Sequence, residues 1–229
     1  TAIEGTSVRS LCGLTEGQTI ADFSGQNLGP IDMKIMAAEY GFRGFIAVLT
    51  SINCLHNPLG EGLQVIIKAF EETPRLRTLC GLEEGIETID WSNSGKGPVE
   101  VALLAADLKA GRAAAAVASL RCGNNLAMVG ELDQYGYLKT PDAHAEVFKE
   151  LTDSLKTSKV TEVDFSSCGI GPVALGHLSD WVRDAEAALN EVNVAFNQIG
   201  SEGGIALLDA LKTSNLKFLA IGKVYTSVD

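Results

Sequence analysis

Positively charged side chains are scarce in this 229-residue sequence. It has 18 Lys and Arg against 29 Asp and Glu, which gives a formal net charge of −11. A nucleic-acid-binding domain needs a basic footprint, and an anionic membrane surface attracts basic segments. The charge therefore argues against nucleic acid and against direct membrane association. We expect protein partners, and a basic or neutral partner surface suits this charge best.

Long uncharged apolar runs are also missing. The most apolar stretch, residues 98–122, contains Glu100, Asp107, Lys109, Arg112 and Arg121. A membrane-spanning helix needs about 20 consecutive apolar residues, so the sequence predicts none. The hydrophobic fraction of 46% argues against disorder over most of the chain.

Residues typical of catalytic and metal sites are few. The sequence has three His, and it has no phosphate loop, HExxH or GxSxG motif. We therefore expect no catalytic site, no metal and no cofactor. The odd number of cysteines and the absence of a CxxC pair predict free, buried thiols and a reducing, intracellular compartment: Cys12, Cys54, Cys80, Cys122 and Cys168.

Internal repeats are the strongest signal in the chain. LCGLTEGQTIADFSGQNLGP (Leu11–Pro30) aligns without gaps with LCGLEEGIETIDWSNSGKGP (Leu79–Pro98), 68 residues later, with ten of twenty positions identical. VDFSSCGIGP (Val163–Pro172) repeats its last part. A second type reads LTSINCLHNPLG at Leu49–Gly60 and LNEVNVAFNQIG at Leu189–Gly200, with a degenerate copy at Val117–Asn125. Alternation of the two types indicates an ancestral doublet.

Both types fit one template, LxxLxLxxNxL. Alternating apolar residues predict a short strand, and the Asn side chain can satisfy backbone groups where the chain leaves that strand. Gly-Pro at 29–30, 97–98 and 171–172 predicts helices that begin at the proline. A seventh strand is predicted at Leu216–Ile221. The template's Asn position falls on Gln26, Asn57, Ser94, Asn125, Cys168, Asn197 and Val224.

Strand-helix units of about 28 residues or more resemble the ribonuclease-inhibitor-like class of leucine-rich repeats. The NxLG of Asn57–Gly60 and the NxIG of Asn197–Gly200 match that class, and the resemblance covers roughly Leu11 to Val224. It implies an α/β solenoid of about seven repeats, shaped like a horseshoe, with a concave parallel sheet and outer helices. We expect a single domain over residues 1–229, with an N-terminal extension at 1–10, an insertion at 126–143 and a C-terminal tail at 225–229.

The exposed strand positions are the predicted partner-binding surface of the concave face. At ~4.8 Å per strand, seven strands would form a column about 29 Å long. The aspartates of this column have two interpretations, since they either bind a partner or hydrogen-bond between neighbouring strands. Arg and aromatic side chains dominate binding hot spots, which favours Arg121 and Phe196 as anchors. The predicted surface comprises Asp22, Asn53, Leu55, His56, Asp90, Arg121, Asp164, Asn193 and Phe196.

The spacing of 43 residues between Asn125 and Cys168 marks the insertion. Its two tyrosines, Tyr135 and Tyr137, either contact a partner or pack back on the repeats.

The predicted function is that of a non-enzymatic protein–protein interaction module, as a scaffold or structural subunit of a larger hetero-complex. Terminal repeats need caps, so we expect the chain to continue or another subunit to cover its ends. Two alternatives stay open. One is a regulator of a small GTPase, by resemblance to the Ran GTPase-activating protein family, and the other is the ligand-sensing repeat region of a larger receptor.

Overall fold

The computed structural model describes residues 10–40, 48–184 and 189–222. The template's Asn position at Val224, the predicted tail at 225–229 and nearly all of the predicted N-terminal extension lie outside these residues. Nine strands are described: β1 Ile20–Asp22, β2 Ser51–Asn53, β3 Thr88–Asp90, β4 Ser119–Arg121, β5 Glu131–Leu132, β6 Leu138–Thr140, β7 Glu162–Asp164, β8 Glu191–Asn193 and β9 Phe218–Ala220. Six α-helices are described: α1 Pro30–Tyr40, α2 Gly62–Glu71, α3 Pro98–Ala110, α4 Ala145–Leu155, α5 Pro172–Asp184 and α6 Gly200–Leu211.

Parallel strand pairing dominates the fold. β1 pairs with β2, and β3, β4, β7, β8 and β9 form a second parallel sheet in that order. The register keeps equivalent template positions side by side, as in Leu120↔Val163 and Val163↔Val192. The predicted seventh strand is confirmed as β9. Within the described residues no helix has the length and apolar character of a membrane span.

Six strands of the two parallel sheets bury their middle residue against the helices. Ala21, Ile52, Ile89, Leu120, Val163 and Val192 are all at most 3% exposed. The helices cover this column with large apolar side chains, such as Phe70 of α2 and Trp181 of α5, both fully buried. Phe148 of α4 meets Phe165 edge to face, with ring centroids 5.2 Å apart. Each large side chain buried in this way contributes about 1.5–3 kcal/mol to folding.

The predicted helix starts are confirmed, because α1, α3 and α5 begin at Pro30, Pro98 and Pro172. A carboxylate satisfies the backbone N–H of the glycine before each proline. Asp32 accepts from Gly29 at 2.8 Å and Glu100 accepts from Gly97 at 2.9 Å. At α5 the acceptor is Asp142, which comes from the predicted insertion and also binds the N–H groups of Val173 and Ala174. The negative charge at each N-terminus also complements the helix dipole.

The asparagine position performs the predicted task in the second, fourth and sixth repeats. The Asn57 amide donates to the carbonyls of Cys54 and Leu55 in its own turn and to that of Phe23 in the preceding repeat, while its oxygen accepts from Leu28. Asn125 and Asn197 make the equivalent bonds. Each asparagine therefore joins its repeat to the one before it.

The expectation of one uninterrupted seven-stranded column is wrong. In the described part of the chain β2 does not pair with β3, since a segment between them takes the place beside β2. We call Thr78–Leu82 the docking segment. Ile52 N–H donates to the Thr78 carbonyl at 3.2 Å, Cys54 N–H to that of Leu79 at 2.9 Å, and Gly81 N–H to that of Ile52 at 2.9 Å. The β1–β2 and β3–β9 ladders are therefore separate.

Candidate functional site

The last residue of β1, β2, β3, β7 and β8 points to the exposed side of its sheet, and a local hydrogen bond fixes its side chain. The Asp22 carboxylate accepts from Ser24 N–H at 2.9 Å, and Asp90 and Asp164 accept from Ser92 and Ser166 at the same distance. Asn53 and Asn193 accept from the residues two positions on at 3.1 Å. These are turn-forming bonds of the Asx type. These bonds lie within one repeat. They therefore do not support the interpretation in which the aspartates hydrogen-bond between neighbouring strands.

These bonds also set the charge of the column. The backbone N–H of Ser24 lowers the pKa of Asp22, and that of Ser92 lowers the pKa of Asp90, with a smaller contribution from Arg121. Both carboxylates are exposed and ionised at neutral pH. The aspartates therefore serve the turn with one oxygen and still present negative charge to solvent.

Arg121 is the cationic centre of the five-stranded sheet. The register places it between Asp90 of β3 and Asp164 of β7. Its side chain is exposed in a shallow depression of about 250 Å³, whose wall also includes Glu162 and Glu191. Four carboxylates around one guanidinium leave this part of the sheet net acidic, which suits a partner surface that carries positive charge.

Asp22 and Asn53 do not join that depression. They lie on the β1–β2 sheet, in a separate depression of about 530 Å³ that also contains Arg77, Gly81 and Glu84. Thr78, Gly81 and Leu82 of the docking segment line one side of this depression. The predicted column of polar residues is thus divided into two surfaces at the interruption between β2 and β3.

A left-handed backbone follows the strands at an equivalent position in six repeats. Gly25, His56, Asn93, Asn124, Ser167 and Phe196 all have φ between 50° and 63°. Gly and Asn adopt this conformation readily, whereas a bulky side chain does so at a cost. Phe196 is 55% exposed. Phe196 therefore has a disfavoured backbone conformation, and its ring does not pack into the core.

His56 belongs to a charged cluster that sequence reasoning missed. Lys96 is 5% exposed, and its Nζ lies 2.6 Å from His56 Nε2 and 5.2 Å from the centre of the Trp91 ring. Burial lowers the pKa of Lys96. Glu100 accepts from the His56 backbone N–H at 3.0 Å. The cluster spans the interruption between β2 and β3. The sequence alignment contained one sign of it, because Lys96 stands where the first copy has the apolar Leu28.

Leu55 is not available on this surface. Its side chain is 7% exposed, and the preceding Cys54 is fully buried, so two consecutive residues face inward. The alternation on which its predicted exposure depended ends at Asn53, where the Asx bond to Leu55 N–H turns the chain. The prediction of an exposed Leu55 is therefore wrong.

The insertion is a β-hairpin. β5 and β6 pair antiparallel, and the Asp133 carboxylate holds the connecting turn by accepting from the N–H groups of Tyr135 and Tyr137. Tyr135 is 75% exposed and Tyr137 is 72% exposed. The two rings do not pack back on the repeats, which leaves the hairpin tip as a second candidate contact surface.

The cysteines are free thiols, four of them buried and Cys12 partly buried. Burial raises the pKa of Cys54 and of Cys168 to about 12, so neither carries a nucleophilic thiolate at neutral pH. Cys54 is buried while His56 is exposed, because β2 ends at Asn53 and the turn that follows it sends the two side chains to different sides. Among the described residues no group of His, Cys, Asp and Glu is arranged to hold a metal ion.

Comparison with known families supports the repeat assignment at one place. A family model described as a leucine-rich repeat matches residues 188–208, which include β8 and the first part of α6. No curated protein matches the chain. The match and the parallel sheets fit a leucine-rich-repeat fold, and leucine-rich repeats are in general protein-interaction modules.

Proposed function

We propose that this chain is a non-enzymatic scaffold or structural subunit of a larger intracellular assembly, and that its exposed sheet face binds a protein partner. The proposal takes the chain as a horseshoe of about seven repeats of the ribonuclease-inhibitor-like class. It is supported by the leucine-rich-repeat match at residues 188–208 and by the exposed polar face of the five-stranded sheet. The acidic surroundings of Arg121 favour a basic partner.

The observation that carries the proposal is the backbone of Phe196. A left-handed φ of 59° costs a non-glycine residue about 1–2 kcal/mol, and solvent exposure of 55% returns little of that through burial. Strained residues of this kind cluster at binding sites. We therefore assign Phe196 as an aromatic anchor, with Arg121 two strands away as the charged anchor.

The experiment begins with an affinity pull-down from the native source and the intact mass of the recovered complex. Phe196→Asn is the informative variant, because Asn accepts the left-handed backbone. We expect it to preserve or raise the free energy of unfolding while it weakens partner binding by about tenfold or more. Arg121→Glu combined with Phe196→Ala should abolish binding without unfolding the chain.

The matched control is Tyr135→Ala combined with Tyr137→Ala in the hairpin. If this pair abolishes binding while the sheet-face variants bind as wild type, the hairpin is the site and the assignment of the sheet face is wrong. Recovery of the chain in one assembly of fixed stoichiometry supports a structural subunit, and recovery only as a free monomer contradicts it.

A further inference from the structure

A histidine and a buried lysine are in contact across the interruption between β2 and β3. His56 lies in the turn after β2, and Lys96 lies just before α3. The Lys96 Nζ is 2.6 Å from the His56 Nε2. Lys96 is 5% exposed, whereas the His56 side chain is open to solvent. The contact therefore joins the repeat that contains β2 to the repeat that contains β3.

Other copies of the repeat carry different side chains at these two positions. Where Lys96 stands, the first repeat has Leu28 and the fifth has Ile170. The backbone N–H of all three donates to the asparagine oxygen of the next repeat at 2.9–3.1 Å. Where His56 stands, the fourth repeat has Asn124 with the same left-handed backbone. The repeat therefore takes the same local structure without a lysine or a histidine at these positions.

The contact depends on one proton shared between the two nitrogens. An ammonium has three N–H donors and no lone pair, so the imidazole Nε2 accepts from Lys96 while His56 is neutral. A second proton, bound to Nε2, would place two positive charges 2.6 Å apart where the lysine is buried. Groups that interact this closely titrate as a pair, and the pair disfavours its second proton.

Titratable groups from several elements face the pair. Glu100 of α3, Cys80 of the docking segment and Cys122 after β4 all act on Lys96. Burial raises the pKa of both thiols well above 9, so they are uncharged at neutral pH. On the side of the first repeat, the turn at 24–27 bonds to the turn of His56 and contains no titratable residue. Glu100 is therefore the source of negative charge among these groups.

Glu100 balances one positive charge of the pair and is already engaged. Its two oxygens accept from the backbone N–H groups of His56 and Gly97 at 3.0 and 2.9 Å. Burial lowers the pKa of Lys96, and the charge of Glu100 opposes that shift. The Trp91 ring, 5.2 Å from Nζ, also favours a cation there. A second positive charge on His56 would find no further carboxylate among these groups.

We propose that the His56–Lys96 pair is a pH-sensitive contact between the two ladders, formed while His56 is neutral and broken when His56 binds a proton. Histidine is the side chain that ordinarily changes charge between about pH 5 and pH 8. In acid the imidazolium and the ammonium repel each other, and His56, the exposed member, moves into solvent. The boundary between β2 and β3 then loses one of its contacts. The proposal does not depend on the partner-binding face.

The test uses two substitutions that copy other repeats, His56→Asn and Lys96→Leu, and the double variant. Asn accepts the left-handed backbone and Leu suits a position that is apolar elsewhere, so the variants should fold, which circular dichroism checks. Urea denaturation of the four proteins at about pH 8 and about pH 5 gives the factor by which the two side chains jointly favour folding. We expect a factor of about five or more at the higher pH. At the lower pH the factor should fall to about one or below.

The comparison of four proteins removes the contribution of Asp107. The pKa of Asp107, about 6, lies in the same pH interval, but all four proteins contain this residue, so its titration cancels from the factor. A factor that is equal at the two pH values overturns the proposal. A factor of about one at the higher pH also overturns it, because the two side chains then do not stabilise each other.

Amide hydrogen exchange locates the effect in the turn at 55–57. Protection factors remove the intrinsic pH dependence of exchange. On acidification the protection of this turn should fall by about fivefold more in wild type than in His56→Asn. His144→Asn, which changes a histidine at the start of α4, is the matched control and should respond to pH as wild type does. An equal fall in wild type and His56→Asn overturns the proposal.

Discussion

Two boundaries between repeats, β2 to β3 and β4 to β7, accommodate extra residues in different ways. At the second boundary the extra residues form the hairpin of β5 and β6, and β4 pairs directly with β7. At the first boundary the extra residues become the docking segment, and the ladder is interrupted. The longer insertion thus leaves the sheet intact and the shorter one divides it. Whether the sheet continues depends on where the extra residues are inserted. At the second boundary they follow the turn after β4, and at the first they directly precede β3.

At the interrupted boundary side-chain bonds reinforce the backbone bonds of the docking segment, whereas the continuous boundary depends mainly on its strand ladder. Arg112 donates to the carbonyls of Phe70, Thr73 and Leu76 and lies over the Phe70 ring. Asp107, fully buried, holds the docking segment. At the continuous boundary the Cys168 thiol donates to the Cys122 carbonyl at 3.1 Å and the Thr161 hydroxyl to the Ala118 carbonyl at 3.4 Å, and both bonds accompany the strand ladder. The stability of the first boundary should therefore depend on a few residues.

The largest effect is expected for Asp107→Ala. It leaves the N–H groups of Leu79 and Cys80 and the hydroxyl of Thr78 without their acceptor in a buried place, and we expect a loss of about 3–5 kcal/mol in the free energy of unfolding. Chemical denaturation followed by circular dichroism measures it. The matched control is Glu39→Ala, which should cost less because the exposed Leu11 end admits water. Equal losses in the two variants would contradict the special role of the boundary.

A pH dependence is expected from the same carboxylate. Burial raises the pKa of Asp107 from 3.8 to about 6. Because the pKa of Asp107 is higher in the folded state than in the unfolded state, its protonated form is favoured by folding. This contribution to stability is fully present below about pH 3.8 and is lost as the pH rises through about 6. Relative to Asp107→Asn, wild type should lose about 3 kcal/mol between about pH 4 and pH 7. A difference between the two proteins that stays constant over this range would show that burial does not control the ionisation of Asp107.

Arg112→Ala should cost about 2–3 kcal/mol, because three carbonyls at the end of α2 lose a charged donor and Phe70 loses a stacked cation. The control is Arg183→Ala on α5, whose ion pairs with Asp180 and Asp184 are exposed and should be worth less than about 1 kcal/mol. Urea midpoints of the two variants give the comparison. A loss for Arg112→Ala as small as that of the control would count against the boundary network.

The smallest effect is expected at the continuous boundary. Cys168→Ala removes the thiol bond to Cys122 but leaves the pairing of β4 with β7, so we expect a loss of about 1 kcal/mol. Cys168→Ser, which retains a donor, is the conservative comparison. Thermal unfolding of both variants measures the difference. A loss that equals or exceeds that of Asp107→Ala would reverse the order of the two boundaries.

The local rules of the fold were readable from the sequence. Three helices begin at prolines, six strands bury their middle residue, and Asn57, Asn125 and Asn197 bond to backbone groups. All of these features depend on neighbours within one repeat or one repeat away. Their periodicity was sufficient to predict them. The hairpin was predicted as an insertion from spacing alone, although not as paired strands.

The interruption of the sheet was not readable in the same way. The identity of LCGL in two copies was visible, but its attachment depends on a helix carboxylate 27–29 residues further on and on an irregular backbone with Gly81 at a φ of 68°. An acidic residue in an apolar helix, at the same repeat position in Glu39 and Asp107, was the available sign. Among the candidate site residues, alternation placed Arg121 correctly on the surface and failed for Leu55, where the strand had already ended. Phe196 also lies beyond the end of its strand, and its exposure comes from the left-handed turn.

Amide hydrogen exchange of wild type and Asp107→Ala, read by mass spectrometry under native conditions, tests most directly whether side chains hold the two ladders together. The account predicts that the variant speeds exchange in β1 and β2 by about 100-fold or more, while β3, β4, β7 and β8 keep wild-type protection. Equal acceleration in both ladders, or none in either, would contradict it, because the boundary would then not be the place where the chain separates.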